Sequence, residues 1–356
     1  MAVAYEHIRR NQRNSVLWAA SLPISFSVAI WLIVCGGYFL LGCLKYISYT
    51  NVWSWSDLWR QALVSAHETC LWLLPLCIGM AIFWAWQAWK QGDQIILECV
   101  RAKELPCFEH EEAFEILNTL CIRCGMITPK LYVLEDESMN AFSVGMSPKK
   151  SAIILSRGTL KQLSRTELEA VLAHELVRIS QYDPRANAML VMGLGFFTFV
   201  GEYLLYGEKN TPASDHILGM VREELAGSWG KPVWIASSGF RYYIGLCLLG
   251  YGYLLAPFLR AGVSAARQLQ TDANTVLVTR YPAGLRHALW HMDQDNRIEI
   301  LDRLQLVGIM CIEKPSGEPT LLQRISGIYK AYPSLDKRLL ALHDMDGMFD
   351  KLPPRA

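Results

Sequence analysis

The chain has 356 residues, a formal net charge of +1 and a hydrophobic content of 52%. So balanced a charge carries no nucleic-acid footprint, and the apolar content is ample for more than one packed unit. That content is concentrated in blocks.

The first block runs uncharged from beyond Arg13 to Lys45 and the second from beyond Glu68 to Lys90. Each exceeds the roughly 20 residues that a helix needs to cross a hydrocarbon core. The first is too long, and lacks the small-residue cleavage site, for a removable signal peptide. Arg9, Arg10 and Arg13 precede the first block, and Lys90, Arg101 and Lys103 follow the second, whereas the loop between them offers only Lys45 and Arg60. The positive-inside rule then places the N-terminus and the segment that directly follows Lys90 in the cytoplasm. Trp53, Trp55 and Trp59 in the loop read as an interfacial belt.

An amphipathic helix follows near Glu111 to Cys124, then β-branched or apolar runs at Leu131 to Leu134 and Ala152 to Leu155. Cys121-Ile122-Arg123-Cys124 has no second pair with which to complete a zinc site, so ordinary packing is expected of it. The remaining cysteines lie in apolar spans or on the cytoplasmic side, apart from Cys43 and Cys70 at the outer loop, and are expected as thiols.

Ser164 with Glu167 forms a capping-box pattern that opens a helix carrying Leu172-Ala173-His174-Glu175-Leu176-Val177-Arg178. In an H-E-x-x-H helix the two histidines sit one turn apart on one face, reach a single zinc, and leave the glutamate as general base. Here Arg178 stands at the second histidine, and a guanidinium has no lone pair to give a metal.

A third apolar block covers Ala186 to Tyr206, broken by Glu202, and a fourth covers Val233 to Leu259, broken by Arg241. Both are expected to span a membrane, with buried core helices as the alternative. Glu202 and Arg241 are tolerable there as a pair. Helices are expected at Val263 to Thr279, Ala283 to Met292, Leu321 to Ala331 and Leu335 to Leu342. His287 and His291, one turn apart, have ligand-capable spacing that also arises by accident.

Several stretches in ordered succession resemble the HtpX-like membrane zinc endopeptidases, whose relatives include the prenyl-protein protease of the endoplasmic reticulum. They are the segment Met139-Asn140-Ala141-Phe142-Ser143-Val144-Gly145, the Leu163 to Leu172 lead into the motif helix, and Asp183. Arg267-Gln268-Leu269-Gln270-Thr271-Asp272-Ala273 and Tyr332-Pro333-Ser334-Leu335-Asp336-Lys337-Arg338 complete the set. The resemblance implies a mainly α integral membrane protein with four transmembrane helices and a zincin-like peptidase domain with a small β-sheet. Its parts would be an N-terminal hairpin at 1–92, a peptidase domain at 93–187 and 261–356, and an inserted hairpin at 188–260. It implies a bacterial inner-membrane protein with the peptidase-like domain in the cytoplasm.

By the same resemblance, His174 holds the first-ligand position and Glu175 the base position. Arg178 replaces the second ligand, Gln268 the glutamate ligand, and Tyr332 the histidine that assists the oxyanion. Zinc with a glutamate ligand sums to plus one, as does Arg178 with neutral Gln268. Arg178 is therefore expected either to bond Glu175 and Asp183 or Asp272, or to extend from the cleft to solvent. Asn140, Ala141, Phe142 and Ser143 would lie along a peptide-binding edge strand. The expected function is that of a proteolytically silent protein that binds polypeptides or steadies a membrane complex and carries no cofactor. The alternative is an active zinc endopeptidase that uses Glu175 as base with unorthodox ligands. Its partners would be the lipid bilayer and a polypeptide substrate or membrane protein, not nucleic acid.

Overall fold

The computed structural model describes residues 2–48, 55–206, 238–255, 265–298, 301, 307–313 and 333–349. The helix expected at Leu321 to Ala331 and the residue Tyr332 lie outside the described residues. The chain divides into two compact units, one of residues 1–15, 90–192 and 255–356, the other of residues 16–89 and 193–254.

The first unit contains a four-stranded mixed sheet of β1 (Lys103–Glu104), β2 (Lys130–Leu134), β3 (Ala141–Ser147) and β4 (Lys150–Ser156), ordered β1-β2-β4-β3. β2 runs parallel to β4, while β1 pairs antiparallel with β2 and β3 with β4. β4 reads Ala152-Ile153-Ile154-Leu155 without alternation because both of its faces are buried. β3 is the outer strand, and its register with β4 slips between Gly145 and Ser147. Gly145 holds φ +149°, and a Cβ there would stand 2.6 Å from the Lys150 carbonyl oxygen, so the slip requires glycine.

α3 (Glu111–Cys124) begins on Glu111 and Glu112 and ends on Arg123, charges that complement its dipole, and Gly125 caps it at φ 64°. Ala113, Ile116, Leu117, Leu120 and Cys121 form its buried stripe, so Cys121 is packing material. α4 (Arg157–Gln162) leads to α5 (Arg165–Ser180). The Glu167 carboxylate accepts the Ser164 amide at 2.9 Å and the Ser164 hydroxyl at 2.8 Å, closing the start of α5.

α5 is buried on nearly every face from Leu168 to Ile179. It packs against α3, α8 (Ala265–Thr279), α9 (Pro282–Gln294) and β3, while α10 (Leu335–Phe349) packs on α8 and α9. Leu172, Leu176, Ile153, Leu155, Leu120, Leu289 and Met292 share this core. Burying a side chain of that size contributes about 1.5–3 kcal/mol, and an unpaired charge among them would cost more than one such residue provides. The charged residues of α5 must therefore find partners inside the unit.

Among the described residues the second unit is helical. α1 (Ala2–Ser48) and α2 (Trp55–Cys99) contain windows long and apolar enough to cross a membrane, at Pro23–Cys43 and Trp59–Cys99. α6 (Asp183–Tyr206) enters this unit at residue 193, and α7 (Ser238–Leu255) carries a shorter apolar stretch, Tyr242–Gly252. Phe26, Phe196, Phe197, Trp84 and Tyr251 join the four helices through ring contacts 4.8–5.1 Å apart. Tyr243 donates to the Ile33 carbonyl at 2.6 Å. A Cβ on Gly201 would stand 2.7 Å from the Leu249 amide nitrogen, so α6 and α7 cross in close contact. Leu71, Trp72, Leu76 and Phe83 lie exposed on α2. The side chains of Glu202 and Arg241 lie outside the described residues.

Candidate functional site

His174, Glu175 and Arg178 project from the buried middle of α5, with relative exposures of 3%, 0% and 6%. The Arg178 Nη1 donates to both oxygens of Glu175 at 3.2 Å and to the Met310 carbonyl at 2.5 Å. Its guanidinium therefore turns inward, and the extension to solvent is corrected: the carboxylate one helical turn behind it offers charge where water would not. Ser143 on β3 donates its hydroxyl to Glu175 Oε2 at 2.6 Å. Burial alone would push the Glu175 carboxyl up. The adjoining charge of Arg178, the hydrogen bond and charge of His174 and the hydroxyl of Ser143 outweigh it and hold the group at about 2.

α8 supplies the facing side. His174 Nε2 lies 3.2 Å from Asp272 Oδ1, and His174 Nδ1 lies 3.3 Å from Glu175 Oε1. Within the described residues His174 Nε2 makes no aligned hydrogen bond, so it faces Asp272 without one. Arg338 from α10 forks onto Asp272, with Nε and Nη2 each 2.8 Å from a carboxylate oxygen. Its Nη1 donates to Glu313 Oε2 at 2.8 Å and to the Ile312 carbonyl at 2.9 Å. This fork drives the Asp272 carboxyl below the usual range, although burial opposes it.

The structure places His174, Glu175, Arg178 and Asp272 together, the first three on one helix and Asp272 from α8. Asp183 is buried at the start of α6, where Arg267 approaches it at 3.5 Å. Gln268 is part-buried with Oε1 lacking a hydrogen-bond partner. His287 is exposed, and His291 Nδ1 stands 2.8 Å from Glu167 Oε1, which engages it with the cap of α5. Arg338, Glu313 and the Met310 carbonyl were not assigned a role from sequence. The arginine in the closing motif was the one available signal, and nothing marked Glu313.

The residues of the expected peptide-binding edge are already engaged within the chain. Asn140, Ala141, Phe142 and Ser143 are all buried, and each is committed internally. The Asn140 amide donates to the Glu313 carbonyl at 3.0 Å, the Ile312 amide donates to the Ala141 carbonyl at 2.8 Å, and Phe142 is bridged to Cys311. The fold brings another segment of the chain onto this edge, which β-periodicity could not foretell.

Among the described residues, the positions that match the family's ligand positions do not supply the three ligands usual for a catalytic zinc. Of the family's ligand positions, one holds a guanidinium locked onto Glu175 and another an amide, leaving His174 as the intact imidazole ligand position. Asp272, the nearest carboxylate to His174 Nε2, has both oxygens engaged by Arg338. Among the described residues no group of three His, Cys, Asp or Glu side chains is arranged to hold a metal ion.

Comparison with known proteins adds the following. Residues 110–346 match the model of peptidase family M48. The chain is 26% identical over 349 residues to a protease HtpX homolog of Dictyoglomus turgidum, covering 96% of this chain and 94% of the relative. A protease HtpX homolog of Bacteroides fragilis is 25% identical over 284 residues, with 79% and 83% covered. One from Dictyoglomus thermophilum is 30% identical over 236 residues, with 64% and 69% covered.

Proposed function

The chain belongs to peptidase family M48, and from that premise we propose that it is a proteolytically silent member. It serves as a polypeptide-binding or complex-stabilising subunit in a membrane. The observation that carries this reading is the Arg178 guanidinium, 3.2 Å from each oxygen of the carboxylate at the base position. A carboxylate whose two oxygens are both engaged by a guanidinium is a poorer proton acceptor than a free one. No metal-bound water is available to it from the side chains described above.

The purified protein is expected to contain far less than one zinc per chain and to leave an unfolded casein intact in detergent. Metal analysis and a cleavage assay on one preparation provide the test. The alternative, an active zinc endopeptidase with unorthodox ligands, predicts about one zinc per chain and cleavage abolished by Glu175→Gln. That result would overturn the reading.

The membrane setting belongs to the same proposal. α1, α2, α6 and α7 are four spans, the N-terminus and the motif helix face the cytoplasm, and the membrane is a bacterial inner membrane. This arrangement is supported by the apolar windows of α1 and α2, by the ring contacts among the four helices and by the arginines and lysines that flank the first two blocks.

A further inference from the structure

β3 is the outer strand of its sheet, and an outer strand presents unpaired amides and carbonyls on alternate residues. The Ala141 carbonyl points outward, since it accepts from Ile312 across the edge. By alternation Ser143 and Gly145 point the same way, and the slip at Gly145 ends the regular edge there. The short regular edge is therefore met at its first residues by Cys311 and Ile312.

The segment Met310–Glu313 is held there on both flanks by the ionic cluster. Arg178 grips the Met310 carbonyl, Arg338 grips the Ile312 carbonyl and the Glu313 carboxylate, and Asn140 grips the Glu313 carbonyl. All four residues of the segment are buried. One side chain, Arg178, joins the motif helix to this segment by bonding Glu175 and Met310 with the same nitrogen.

We propose that Met310–Glu313 is a resident segment, locked by Arg178 and Arg338, that covers the start of the β3 edge to which an extended polypeptide would otherwise add. The inference rests on the reading of this site as a metal-free polypeptide site and names how that site is regulated. In this closed form the Ala141 carbonyl is already taken by the Ile312 amide, and an incoming chain can pair along the start of the edge only by displacing the segment. The residue that took the place of a metal ligand holds the door shut.

Cys311 provides a built-in reporter. It is buried on the segment itself, and burial pushes its thiol up, so alkylation at neutral pH reports opening. Cys121, buried in the core of the same unit, reports general unfolding, and exposed Cys107 reports reagent activity. The full-length protein in detergent micelles is treated with N-ethylmaleimide at pH 7.5, and each cysteine peptide is followed by mass spectrometry. In the wild type Cys107 is modified at once, while Cys311 and Cys121 are protected. In Arg178→Met, Cys311 is modified at least ten-fold faster than in the wild type while Cys121 stays protected. The same variant binds reduced, carboxymethylated lactalbumin, a permanently unfolded chain, at least ten-fold more tightly. Equal Cys311 rates in the two proteins, or a released Cys311 with no gain in binding, would overturn the proposal.

Hydrogen exchange of the wild type keeps the test decisive should the variant fail to fold. The peptide covering 307–313 is expected to exchange as slowly as that covering β3, and fast exchange there against a slow β3 would reject a resident segment. Zinc content, measured on the same wild-type preparation, reports separately on the silent-peptidase reading.

Discussion

At the scale of single residues, the site is a pair of buried carboxylates, each held by a guanidinium. Glu175 and Asp272 are both held below their ordinary carboxyl ranges, by Arg178 and Arg338 respectively, so each binds fewer protons folded than unfolded. The Glu175 contribution to stability is fully present above its unfolded value, about 4.3, and is lost as pH falls through its folded value of about 2. Acid unfolding of the first unit, followed by near-ultraviolet circular dichroism, is therefore expected to set in below about pH 4. Arg178→Met moves that onset to higher pH and removes about 3 to 5 kcal/mol at pH 7, because Glu175 is then buried without its guanidinium. A pH profile unchanged in the variant would show that the pair contributes nothing. If the site descends from a working zinc centre, Arg178→His with Gln268→Glu restores an imidazole and a carboxylate beside His174. Zinc is expected to bind the double variant and neither single variant, measured by metal content after gel filtration. Absence of zinc from the double variant would mean that the Arg338 fork on Asp272 also blocks the site.

At the scale of elements, two close approaches fix how strands and helices meet. Gly158, where α4 leaves β4, lies so near the Glu137 and Ser138 carbonyls that a Cβ would collide with backbone. Gly158→Ala is accordingly expected to destabilise the sheet by more than the ~1 kcal/mol of an ordinary glycine substitution, read as a lower denaturation midpoint. The start of α5 depends on Glu167, whose carboxylate caps Ser164 through one oxygen and meets His291 through the other. Glu167→Ala removes both contacts at a buried position and is expected to cost about 1 to 2 kcal/mol, with Glu167→Gln recovering part of it through the amide. A midpoint unchanged by the alanine would show that the packing of α5, not its cap, sets the start of the helix.

At the scale of the whole molecule, topology is the open prediction of the proposed membrane arrangement. Single cysteines introduced at Ser48 to Asp57 and at Glu208 to Lys231, in a background without reactive native thiols, are expected to react with an impermeant maleimide added to intact cells. Cysteines introduced near Ser156 are expected to react only after permeabilisation. Labelling near Ser156 in intact cells would invert the orientation derived from the flanking arginines and lysines.

The sequence by itself determined what depends on neighbours along the chain. The capping of α5 by Ser164 and Glu167, the extent of α3, the apolar centre of β4, the apolar windows of α1 and α2 and the absence of a metal-ligating lone pair at Arg178 were legible from spacing and residue type. These properties need no knowledge of the fold, because helix and strand periodicity and the absence of a lone pair on a guanidinium are local. The tertiary structure decided which charges pair. Arg178 chose Glu175 and Met310, Asp272 was taken by Arg338 from a helix 66 positions away, and the edge of β3 received Ile312. Nothing in a pattern of charges assigns partners at such separations. Inside a buried core, geometry alone settles which carboxylate lies within reach of which guanidinium, and burial makes each pairing obligatory.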